Sequence, residues 1–157
     1  MTIDIDVEDE RWGRIPKLED LTQRAATAAF DAAGFDGSGH VVTILFTDDD
    51  AIKTLNAEWR GKSLPTNVLS FPAPEDLPMP PGEDRPLGDI VLASGVVARE
   101  ASQQGKSLPD HVAHLIVHGI LHLLGHDHED DDEADRMERL ETEILKGLGI
   151  SDPYERQ

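Results

Sequence analysis

The chain has 157 residues, 38% of them hydrophobic, and contains no cysteine. That length suits one domain with a substantial core, and the missing thiols exclude a disulfide scaffold, a cysteine zinc finger and a thiolate nucleophile. A formal charge of −18 argues against broad adhesion to nucleic acid or anionic lipid, so a polyanionic substrate would have to meet a local basic patch, for which Arg60 and Lys62 are candidates.

At the N-terminus Ile3, Ile5 and Val7 alternate with Asp4, Asp6 and Glu8, the pattern of a half-buried strand over 3–7 and the opposite of a signal peptide's basic start. Pro16 suits the first turn of a helix whose stripe is Leu18, Leu21, Ala25, Ala28, Ala29 and Ala32, with Gly34 as its end. The β-branched run 41–46 reads as a buried strand. Thr47 and Asp50 then form a capping box for a helix through Ile52, Leu55 and Trp59. Pro65 and Pro72 bracket a strand at 66–71, placed by its prolines at a sheet edge. Residues 72–86, rich in proline and acid, read as an exposed loop, and 88–93 as the next strand.

Ser94 is a candidate cap for a helix through Val97, Ala98 and Ala101, and Ser107 with Asp110 for the following one. A last helix, about 130–146, has Met137, Leu140, Ile144 and Leu145 as its apolar stripe and opens on acids that suit the macrodipole. The expectation is one α+β domain over 1–157, with about four strands in a mixed sheet and about five helices. No run reaches the roughly 18 apolar residues of a membrane span, so a soluble cytoplasmic protein with no membrane partner is expected.

One string carries the chemistry. His118 and His122 are four apart in an apolar run from Val112 to Leu124, so they share a helix face, Gly125 offers a stop, and His128 follows. Three imidazoles converging in this way form a zinc site, one ion per chain, with an open fourth position of the catalytic kind. The bland alternative is core histidines satisfied by backbone carbonyls. His114 reads as a hydrogen-bonded helix residue or as a further ligand or ligand partner, and His126 as solvent-facing. Asp127 could orient an imidazole or cap the loop. Peptidases with His-Glu-x-x-His use the glutamate as base; here that position is Gly119, which speaks against that class. A zinc-bound water, with its pKa lowered to about 7, needs no such base.

The string His118-Gly-Ile-Leu-His122-Leu-Leu-Gly-His-Asp-His128 resembles the signature of the YbeY family of bacterial zinc-dependent endoribonucleases. Further blocks resemble that family in order: Leu55-Asn56, Trp59-Arg60-Gly61-Lys62, Pro65 to Pro72, and Leu87-Gly88-Asp89-Ile90. The resemblance implies zinc on His118, His122 and His128 and a functional Arg60. It also implies cleavage of single-stranded RNA, small-subunit ribosomal RNA 3′-end processing, ribosome quality control, and a partner on the small ribosomal subunit rather than DNA. Asn67 stands where many members of that family carry Asp. Two alternatives stay open: a ribosome assembly factor with a non-catalytic zinc, and a metal-dependent hydrolase of another substrate.

Overall fold

The computed structural model describes residues 1–126 and 130–154. Strands β1 (Thr2–Val7), β2 (His40–Thr47), β3 (Val68–Pro72) and β4 (Arg85–Ala93) form one sheet in the order β1-β2-β4-β3. The β1–β2 and β2–β4 pairs are parallel and β3–β4 is antiparallel. The sheet is therefore mixed, and β3 lies at its edge, where the flanking prolines placed it. The observed strand starts later than 66 and takes in Pro72, which pairs with Gly88.

Side-chain alternation along the strands builds two cores. Val42, Ile44 and Phe46 of β2 join Ile90 and Leu92 of β4 on the larger side, covered by α1 (Leu18–Ala32), α4 (Leu108–Leu123) and α5 (Asp131–Gly147). Val91 and Ala93 point the other way, toward Leu69 of β3 and Ile52 of α2 (Asp49–Arg60). With α3 (Ser94–Gln103) these make five α-helices among the described residues, beside one 3-10 turn at Glu10–Arg14. α4 is the central helix. Its apolar residues from Val112 to Leu121 are buried, as expected of a helix hydrophobic on nearly every side.

Several caps differ from the sequence reading. α1 starts at Leu18 from a left-handed Lys17 (φ 56°), so Pro16 lies before the helix rather than in its first turn. α2 is capped by Asp48, whose carboxylate accepts from the Ala51 N–H at 2.8 Å; Thr47 is instead the last, buried residue of β2. Ser94 is inside α3 and gives its hydroxyl to Asp9. For α2 a neighbour meets the backbone donors instead, and for α3 a distant partner claims the side chain, and neither is visible in local spacing. Ser107 does cap α4, accepting from the Asp110 N–H at 3.3 Å, and Asp130 caps α5.

Gly119 lets α4 lie close on the sheet. A Cβ there would sit 3.1 Å from Ile90 Cγ2 and 3.2 Å from Ser70 Oγ, and the Ser70 hydroxyl donates to the Gly119 carbonyl at 3.2 Å. The position that carries a glutamate in the peptidase motif thus faces β3 and β4, where even a Cβ would be tight against Ile90 and Ser70. α4 is thereby pressed against the edge strand, and its histidines look out beside it.

Candidate metal centre

His111, His114, His118 and His122 follow one another at three- and four-residue steps on α4, which aligns them along one helix face. The Nε2 atoms of His118 and His122 are 3.0 Å apart. On its other side His118 Nδ1 is 2.5 Å from Oε1 of Glu141, a fully buried residue of α5. The second oxygen, Oε2, faces His114 Nε2 at 3.2 Å and accepts the Tyr154 hydroxyl.

Burial alone would raise the Glu141 pKa, but its hydrogen bonds with His114 and His118 outweigh burial and hold it at about 2. Burial, and then the hydrogen bond to the same carboxylate, push the Tyr154 hydroxyl well above its ordinary range. An ionised carboxylate can only accept, so His118 donates to it through Nδ1, on the side of the ring away from the Nε2 that faces His122. His114 also donates to that carboxylate through Nε2, and its Nδ1 is buried without a hydrogen-bond partner among the described residues. It therefore serves the carboxylate that orients His118.

Two imidazole nitrogens facing each other suit a shared cation. Ligands of a tetrahedral zinc at about 2.0–2.1 Å lie ~3.3 Å from each other, close to the separation seen here, and a carboxylate behind a ligating histidine is a recurrent support for such ions. The donor chemistry of the pair therefore fits the expected metal. Among the described residues no group of three His, Asp or Glu side chains is placed to hold one ion, and the third expected ligand, His128, lies outside them, as does Asp127.

The turn toward that position is in place. The Gly125 N–H bonds to the His122 carbonyl and the His126 N–H to the Leu121 carbonyl, both at 3.0 Å, which is the Schellman closure, with Gly125 at φ +93°. His126 faces the cleft rather than open solvent alone. It is half-buried and lines the same cleft as His118 and His122, because the reversed chain folds back over the helix end.

That cleft, about 380 Å³, runs along the free edge of β3 and also includes Arg60, Asn67 and Ser70. Arg60, the last residue of α2, reaches round the sheet edge and donates to the Ser70 carbonyl at 3.0 Å, with its guanidinium carbon 6.0 Å from the Phe71 ring centre. The structure thus brings Arg60 to the cleft that the histidine pair lines, from far away in sequence. Asn67 donates its amide to the Glu100 carboxylate at 3.0 Å, a contact an ionised Asp could not make. Glu100 also meets His111 Nε2 at 3.0 Å, and burial lowers the His111 pKa against that attraction.

The residue missed in the sequence was Glu141. Its signal was there: an acid four residues after Met137 and three before Ile144, in the middle of the apolar stripe of α5.

Known proteins resemble this chain over nearly its whole length. The family profile described as Endoribonuclease YbeY matches residues 4–149. A protein of that name from Chelativorans sp. (strain BNC1) is 52% identical over 98% of this chain and 93% of its own length. Namesakes from Azorhizobium caulinodans and Bartonella quintana are 49% and 48% identical, covering 98% of this chain and 96% and 97% of theirs. A Thermotoga maritima protein solved in solution superposes with a TM-score of 0.58 at 26% identity, over 99% of this chain and all of its own.

Proposed function

Since the chain belongs to the endoribonuclease YbeY family, we propose that it is a metal-dependent endoribonuclease that cuts single-stranded RNA at the β3 cleft and acts in ribosomal RNA maturation. The proposed ligands are His118, His122 and His128, and the proposed ion is one zinc per chain. Bound there, zinc would supply Lewis-acid chemistry at a phosphodiester and favour ionisation of water. Everything else falls to the chain's own residues. Glu141 keeps the His118 proton on Nδ1 and fixes the ring, while His114 and Tyr154 hold that carboxylate in place. Arg60 offers a planar fork to phosphate oxygens, the geometry that suits bidentate pairing and stabilises charge developing away from the ion.

The observation that carries the reading is the facing pair of Nε2 atoms, 3.0 Å apart, in a cleft shared with Arg60. With so acidic a chain, free RNA is repelled at long range, so the proposal includes a small ribosomal subunit particle as the setting that presents the RNA, in the cytoplasm. Among the described residues no helix is long and apolar enough to cross a membrane.

Metal content and RNA cleavage measured on the same preparation test the reading. Wild type should hold close to one ion and cleave. The paired substitutions His118→Ala and His122→Ala should remove both, and cleavage that survives them would overturn the assignment.

A further inference from the structure

Trp59 immediately precedes Arg60 and is 69% exposed, the barest large hydrophobic side chain among the described residues. It is not loose. Its indole meets the Phe71 ring edge-on, with centroids 6.2 Å apart and planes at 63°, and the same Phe71 ring lies 6.0 Å from the Arg60 guanidinium carbon. Phe71 sits in β3 between Ser70 and Pro72, both of which line the cleft. One ring therefore supports two neighbours: the Arg60 cation, which lines the histidine cleft and suits a phosphate, and beside it, outside the cleft lining, a wide aromatic surface facing water.

Resting on the function proposed above, we propose that Trp59, seated on Phe71, is a stacking platform for an unpaired base of the RNA strand whose phosphate Arg60 meets. Three physical points lead there. A chain of charge −18 gains little from long-range attraction to a polyanion, so binding needs a contribution that charge does not provide, and base stacking on an aromatic ring is such a contribution. A base and its own phosphate are the two groups an aromatic surface and an adjacent guanidinium can engage together. In a duplex both faces of an internal base are already covered, so the platform selects single strands.

The second tryptophan makes the test clean. Trp12 is 2% exposed and its indole N–H donates to the Thr47 carbonyl, so it is shielded from solvent ligands. Stopped-flow mixing of the metal-loaded protein with a short single-stranded oligoadenylate, read before turnover, should quench wild-type fluorescence. A duplex of the same length should not, and Trp59→Phe should lose the response while retaining the Trp12 signal. In steady-state cleavage Trp59→Ala should lose roughly tenfold in kcat/KM, carried by KM rather than kcat, with Trp59→Phe restoring most of it. Absent quenching, or an unchanged KM in Trp59→Ala while His118-dependent cleavage persists, overturns the platform and leaves the cleft's function standing. The platform is equally overturned if Trp59→Ala keeps its KM but no longer binds a protein of the small ribosomal particle. Cleavage that survives His118→Ala overturns the functional reading itself, whatever the indole reports.

Discussion

At the level of single side chains, Glu141 decides how His118 behaves. It is fully buried, ionised at neutral pH, and placed 2.5 Å from the Nδ1 of His118. Glu141→Gln keeps the shape and an acceptor oxygen but removes the charge that favours the Nδ1–H tautomer and raises ligand basicity. Removal of such a supporting group typically weakens metal binding about 10- to 100-fold. Competition with a chromophoric chelator should show a loss of that size, and an unchanged dissociation constant would refute the role. Arg60→Ala should lower RNA cleavage by about two orders of magnitude, as for loss of one group that stabilises transition-state charge, with metal content and melting temperature unchanged. Arg60→Lys should recover only part, since an ammonium lacks the planar fork. Equal rates for wild type and Arg60→Ala at low and high RNA would remove Arg60 from the site.

Among the elements, α4 and β3 are held together at one narrow point. Gly119 leaves space for Ile90 and Ser70, and the Ser70 hydroxyl bonds to the Gly119 carbonyl. Gly119→Val would drive methyl groups into atoms already 3.1–3.2 Å from the place of a Cβ. Overpacking of this kind costs about 1–3 kcal/mol, so the urea midpoint should fall, and cleavage with it, because Ser70 also anchors Arg60 through its carbonyl. A midpoint equal to wild type would show that the strand yields freely. The same contact explains why this helix lacks the glutamate of the peptidase motif: residue 119 faces the sheet rather than open cleft.

For the molecule as a whole, the larger core draws on β2, β4, α1, α4 and α5 without any contribution from the histidine pair. Metal removal should therefore lower the melting temperature yet leave one cooperative transition and intact helical circular dichroism, unlike a zinc finger. Loss of helical signal on chelation at room temperature would contradict this. The cleft opens along a sheet edge on a strongly acidic body, so cleavage of free single-stranded RNA should be slow, should fall with rising salt, and should exceed cleavage of a matched A-form duplex. Small-subunit particles should be cut faster than the same RNA free in solution. Faster cutting of duplex would count against a recessed single-strand site.

Much of this could be read from spacing alone, because it is local. Periodicity marked the strands and the five helices, the prolines put β3 at an edge, and the four-residue step of His118 and His122 with Gly125 behind it announced a shared histidine face and its turn. Helix caps were less legible: Asp48 displaced Thr47, and Ser94 turned to Asp9, since adjacent polar residues compete for the same donors and only the folded chain settles which wins. Tertiary structure alone placed Arg60 on the cleft that His118 and His122 line, and Glu141 behind His118. Both arrive from other helices, and contact across such distances in sequence depends on how the sheet orders its strands and how closely α4 can approach it, which no local pattern encodes.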